Sequence, residues 1–160
     1  MLKKAEGLFQ QLIKMRFQLI DKITKFDKNK SILGVKGVSL EANDFVPSSQ
    51  GSPVYPVSLC LESLAQLGGW LTTASSGFAR HPVLGMISRA EVYNEARVGD
   101  SLLVKAELIE LSDEISEIRG EIRRGEELII KVKRVVYGLV KTEDKKLIEE
   151  QKEVFQHLLE

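Results

Sequence analysis

Glu62 is the one charged side chain between Asp44 and Arg80, in a chain otherwise rich in Lys, Arg, Asp and Glu. A carboxylate kept charged and unpaired in apolar surroundings is costly, so its environment must raise its pKa or supply a partner. It stands within SSQGSPVYPVSLCLESLAQLGGWL, Ser48 to Leu71. Pro56 precedes a helix start there, and a helix leaves the N–H groups of its first residues, here Val57 and Ser58, without an internal acceptor. A carboxylate less than two turns from such donors is one arrangement that acyl or proton transfer needs. The same residues also admit a structural reading, in which Glu62 caps a neighbouring loop or meets a Lys or Arg from another strand.

Other chemistry-bearing residues are few. His81 lies in an expected loop and His157 in a charged helix, and both read as surface histidines, with His81 also a candidate base. Cys60 is the only cysteine, which excludes an internal disulfide and a multi-cysteine zinc site. It reads as a small hydrophobe packed in the helix. No metal constellation or phosphate loop is visible, so no metal or cofactor is expected. Lys131-Val132-Lys133-Arg134 reads as the wet side of a strand, the alternative being a patch for an acidic partner. Basic and acidic residues balance at 23 each, so no global field points to nucleic acid or an anionic membrane. The N-terminal run MLKKAEGLFQQLIKM does not read as a signal peptide, and no run is apolar enough to span a bilayer. A soluble cytoplasmic protein is expected.

The elements that must position Glu62 follow from periodicity. Leu2 to Met15 has the spacing of a short amphipathic helix. Phe17–Phe26 and Ile32–Leu40 read as a hairpin around the turn Asp27-Lys28-Asn29-Lys30. Asn43 to Pro56 reads as loop. Val57 to about Ser75 is apolar on most sides, as a buried helix is. After a loop at Ser76–Pro82 come strands at Val83–Asn94, Ser101–Leu111, Ile115–Arg123 and Leu128–Tyr137, alternating as antiparallel strands with one dry face do. Glu143 to Leu159 reads as a charged helix. All 160 residues are expected to form one domain, with a core over about 17–138 and terminal helices at about 2–15 and 143–159. A single sheet cannot cover a helix apolar nearly all round. The missing cover is expected from a second copy, or from the terminal helices of the same chain.

Three pieces carry a family likeness: Phe17-Gln18-Leu19-Ile20-Asp21-Lys22-Ile23, Pro53-Val54-Tyr55-Pro56, and Leu61-Glu62-Ser63-Leu64-Ala65-Gln66. In order and separation they resemble the FabZ-type 3-hydroxyacyl-[acyl-carrier-protein] dehydratases, over about Phe17 to Tyr137. The resemblance implies an α+β hotdog fold, an antiparallel sheet wrapped around a long central helix, here with extra terminal helices. It implies a homodimer acting on acyl thioesters of acyl carrier protein or coenzyme A, in fatty-acid or related lipid synthesis. Carried over by position, Glu62 matches the glutamate that handles the departing 3-hydroxyl. Gln66 matches the family's helical glutamine, and Gly51 keeps a loop glycine. Val57 falls where the family has a glycine whose N–H holds the thioester carbonyl. Ser48 falls where the family has the histidine that removes the α-proton. A serine hydroxyl is no base near neutral pH, and loss of a general base costs about 10²–10⁴ in rate. Dehydration is therefore expected to be impaired or absent, unless His81 takes the role. The alternatives are a thioesterase using Glu62 with the Val57 N–H, and a non-catalytic partner subunit or scaffold that keeps Glu62 for structure.

Overall fold

The computed structural model describes residues 18–39 and 53–160. The helix expected over Leu2–Met15 lies outside them, as do Ser48 and Gly51. Among the described residues are strands β1 (Lys22–Asp27), β2 (Ser31–Gly37) and β3 (Val54–Tyr55), and helix α1 (Val57–Ser75). Then follow β4 (Arg80–Val92), β5 (Ala96–Arg97), β6 (Ser101–Leu111), β7 (Ile115–Arg124), β8 (Glu127–Lys141) and α2 (Lys145–Leu159). Six strands form one antiparallel sheet in the order β1-β2-β6-β7-β8-β4, and β3 pairs with β5 in a separate ribbon.

Alternation builds the sheet's dry face. Leu102, Val104 and Ala106 of β6 are buried, as are Ile118 and Ile122 of β7. In β8 the register slips: Ile118 lies opposite Val135 but Gly120 opposite Val132. This bulge sets two residues of β8 against one of β7. It turns Lys133 and Arg134 outward while Val132 and Val135 both stay in the core. The run 131–134 is thus the wet side of a strand, and Lys133 and Arg134 pair with Glu91 and Glu117.

The sheet curls around α1, which packs against β2, β4, β6, β7 and β8. This is the sheet-around-helix arrangement expected from the sequence. The helix is covered within one chain more fully than its composition suggested: Val57 and Ser58 are its only exposed residues. Two glycines set how deeply it sits. A Cβ on Gly68 would lie 2.3 Å from Ile118 Cδ1 and 2.5 Å from the Tyr137 hydroxyl, and one on Gly120 would lie 2.5 Å from both Leu64 and the Lys105 carbonyl. Helix and sheet meet at a distance only hydrogen side chains permit.

Helix α2 crosses the outer strands. Its N-cap Asp144 accepts hydrogen bonds from the Lys146 and Leu147 N–H groups at 2.9 and 3.3 Å. Phe155 is buried among Phe26 of β1, Trp70 of α1 and Phe78, with ring centroids 5.2 to 5.8 Å apart. Gln151 Nε2 meets His81 Nδ1 of β4 at 3.2 Å, and Lys22 of β1 donates to the Glu160 carbonyl. Since β1 and β4 are the two edges of the sheet, α2 bridges the edges and holds the curl shut.

Several boundaries moved. β1 begins at Lys22: Asp21 N–H still donates to the Val35 carbonyl of β2 at 2.9 Å, but two residues earlier the Leu19 N–H donates to Gln66 and tethers α1 instead. β4 begins at Arg80, so His81 is a strand residue, not a loop residue. Pro82 is tolerated because β4 is an edge strand. β8 runs on to Lys141 to pair with that early start.

An alanine in a helix interior ordinarily gains about 1 kcal/mol over glycine. Gly68→Ala is expected to do the reverse and lose about 1–3 kcal/mol by overpacking, and Gly120→Ala to lose at least as much. Urea unfolding midpoints measure both; a stabilised Gly68→Ala would show that the helix can lift off the sheet.

Candidate functional site

Glu62 sits in the second turn of α1, half-buried. Its Oε1 accepts a hydrogen bond from Gln66 Nε2 at 3.0 Å. The spacing of four residues places the two side chains one above the other on the same helix face. Gln66 Oε1 in turn accepts from the Leu19 N–H at 2.9 Å. One glutamine therefore links the carboxylate to the segment leading into β1. Among the described residues Glu62 forms no ion pair, so a glutamine amide, not a cation, is what it meets.

Tyr137 of β8 braces the same turn. Its hydroxyl donates to the Ala65 carbonyl at 2.7 Å. Burial pushes the phenol well above its ordinary range, and the negative charge of Glu62 pushes it the same way. The carboxylate thus lies within electrostatic reach of a phenol that stays neutral.

Pro56 provides no side-chain cap, and no acidic residue stands in the first turn. The N–H groups of Leu59 and Cys60 both turn to the Pro56 carbonyl. Those of Val57 and Ser58 have no acceptor among the described residues, and they carry the positive end of the helix dipole. Beside them opens a cavity of about 250 Å³, walled by Val54, Tyr55, Val57, Cys60, Val92 and Ile130, with Asn94 and Glu95 as its polar residues. Burial raises the Cys60 thiol to about 11, so it serves as inert wall.

The structure brings together Glu62, Gln66 and Tyr137, and separately Val57 and the cavity. Glu62 is not part of the cavity wall. Five residues of helix separate it from Val57, about 7.5 Å along the axis and more than a third of a turn around it. Leu64 is core, Leu59 and Trp70 pack on the core's edge, and none of the three walls the cavity. His81 is half-buried against α2, and burial lowers its pKa. Its neighbour Pro82 faces α1 at Gly69, where an added Cβ would lie 3.6 Å from its ring, roughly 10 Å along the helix from Glu62. His157 is exposed. The far wall of the cavity has almost no signature in the sequence. Tyr55 and Ala96 belong to two-residue strands too short to show a period; the one available signal was the apolar pair Val92-Tyr93 left at a strand's end.

With this geometry in view, the likenesses to known proteins fall into place. Residues 12–143 match the family model described as a FabA-like domain. A 3-hydroxyacyl-[acyl-carrier-protein] dehydratase FabZ from Hydrogenobaculum sp. (strain Y04AAS1) is 34% identical over 105 residues, 64% of this chain and 71% of that protein. The FabZ of Caldicellulosiruptor saccharolyticus is 29% identical over 124 residues, 73% of this chain and 89% of that one. Among solved structures, a thioesterase from Haemophilus influenzae aligns with TM-score 0.62 at 16% identity, over 77% of this chain and 80% of that one. A Streptococcus mutans protein bound to acetyl CoA aligns with TM-score 0.58 at 12% identity, over 79% and 90%. These last two are likenesses of fold. Helix α2 lies beyond the family match.

Tyr137→Phe removes one buried hydrogen bond and is expected to cost about 1 kcal/mol at neutral pH. The folded chain keeps the Tyr137 proton while the unfolded chain releases its own above about pH 10. Wild-type stability therefore declines above that pH, and the gap to the variant narrows. Paired urea titrations from pH 8 to 11 read it; a constant gap would mean that Tyr137 ionises as freely folded as unfolded.

Proposed function

The chain belongs to the FabZ-type dehydratase family of FabA-like proteins, and we propose that it binds an acyl thioester at the start of α1, with Glu62 as its acid–base group. The observation that carries this reading is the pairing of helix-start amides that have no acceptor among the described residues with an apolar cavity, on the same helix as a tethered carboxylate. A thioester carbonyl would accept from the Val57 N–H, and its acyl tail would occupy the cavity. In dehydration, a base removes the α-proton and Glu62 gives a proton to the departing 3-hydroxyl, leaving an enoyl thioester and water. Ser48 stands at the family's histidine position and supplies no such base, so the reading is of a FabZ-like acyl-thioester protein of fatty-acid or related lipid synthesis, weak or silent in dehydration. Gly51 and Gln66 are proposed to support substrate binding, Gln66 by holding the Glu62 carboxylate.

A homodimer completes the reading. Edge strand β4 exposes Val83 (51%), Leu84 (43%) and Met86 (44%). A long apolar edge is a liability unless something covers it. A two-fold copy pairing β4 with β4 would do so, and would bring residues of one protomer toward the helix of the other. The acyl donor is acyl carrier protein or coenzyme A, in the cytoplasm.

The absence of an ion pair on Glu62 among the described residues, and the distance to His81, also favour a second reading. A thioesterase needs a carboxylate to activate water and helix-start amides to hold the oxyanion, and no histidine.

Product distinguishes the two: an enoyl thioester absorbing in the ultraviolet, or a free thiol. Glu62→Gln keeps the hydrogen bond to Gln66 and is expected to lower either activity about 10²–10⁴-fold with the fold intact; unchanged turnover removes Glu62 from the chemistry. Ser48→His is expected to raise dehydration by a similar factor, and no gain would place the loop out of reach. Light scattering is expected to give twice the monomer mass, falling to one on Met86→Glu; a monomeric wild type rules out the β4 pairing.

A further inference from the structure

We infer that the Val57 side chain makes this site selective for acyl groups unbranched at the carbon next to the carbonyl. The inference rests on the acyl-thioester reading and concerns its selectivity alone.

Val57 is the first residue of α1, walls the cavity and is 42% exposed. Its backbone is helical, a conformation any L-residue adopts. Nothing local demands glycine at this position, so the cost of a side chain falls on whatever approaches from outside. Two features of helix geometry determine where that side chain stands. Every Cα–Cβ bond in a helix tilts toward the N-terminus, so the isopropyl group leans over the end of α1, beside the Val57 and Ser58 N–H groups. Branching at Cβ restricts a valine's χ1, so the group is a stiff shoulder.

An acceptor oxygen must come within about 2.7–3.2 Å of the amide nitrogen to bond it. The carbon next to that carbonyl then passes the Val57 methyls on its way into the cavity, where Val92, half exposed at 51%, stands on another wall. A methylene passes such a shoulder; a carbon bearing an extra methyl meets it. Beyond the shoulder the cavity holds about 250 Å³, enough for a straight tail.

The test uses two carbonyl-bearing ligands that cannot turn over: butyryl- and 2-methylbutyryl-pantetheine analogues with a methylene in place of the thioester sulfur. Each is titrated calorimetrically into the full-length wild type, Val57→Ala and Val57→Gly, with circular dichroism confirming equal helix content. The wild type is expected to bind the unbranched analogue about tenfold tighter, the lower end of what one methyl group decides in an apolar site. Val57→Gly is expected to close most of that gap by tighter binding of the branched analogue, with Val57→Ala between. An equal affinity of wild type for both, or a gap that Val57→Gly leaves unchanged, overturns the inference and leaves the acyl reading standing. If neither analogue binds any of the three proteins, the acyl reading falls, and the inference with it.

Discussion

The seating of α1 on the sheet is the contact on which everything else here depends. Two missing side chains, at Gly68 and Gly120, let helix and strands approach so closely that no Cβ fits between them. One hydroxyl, on Tyr137, then ties the Ala65 carbonyl to β8. Dispersion and burial hold the helix in place without direction, whereas this hydrogen bond fixes its rotation and its height. Ala65 is three residues from Glu62 and one from Gln66, so whatever fixes its carbonyl also fixes the turn that carries the carboxylate.

From that seat the site is assembled in two parts. The tethered part is Glu62, Gln66 and the Leu19 amide, where one glutamine spends both ends of its amide group on position. The open part is the helix start, where amides with no acceptor among the described residues meet an apolar cavity. Within one protomer the two parts are separated along and around the helix. Helix α2, outside the family match, acts on the other end of the molecule: it joins the two sheet edges through Phe155 and the Gln151–His81 contact, so the curl around α1 is closed by the chain's own tail.

Much of this was legible from residue types. Alternation in β6 and β7 fixed which residues are dry, and the all-round apolarity of Val57–Ser75 gave a buried central helix. The four-residue spacing of Glu62 and Gln66 put them on one face. The misreadings are specific. Leu19 and Ile20 are as apolar as strand residues and as buried, yet the backbone there serves a helix side chain. Pro82 signalled a loop, but an edge strand has no partner on one side to miss the absent N–H. β3 and β5 are too short to carry a period, so the cavity they help wall left no trace in the pattern.

The sequence by itself determined the periodicities, the buried helix, the lone carboxylate and the residue types beside it, because those are properties of neighbours along the chain. Only the tertiary structure decided that the Gln66 beside Glu62 is tied to the Leu19 amide, that His81 lies against α2 and away from Glu62, and that Val57 walls a cavity. Each of these is a contact between segments dozens of residues apart, and no local pattern encodes which distant strand comes to lie against which turn of a helix.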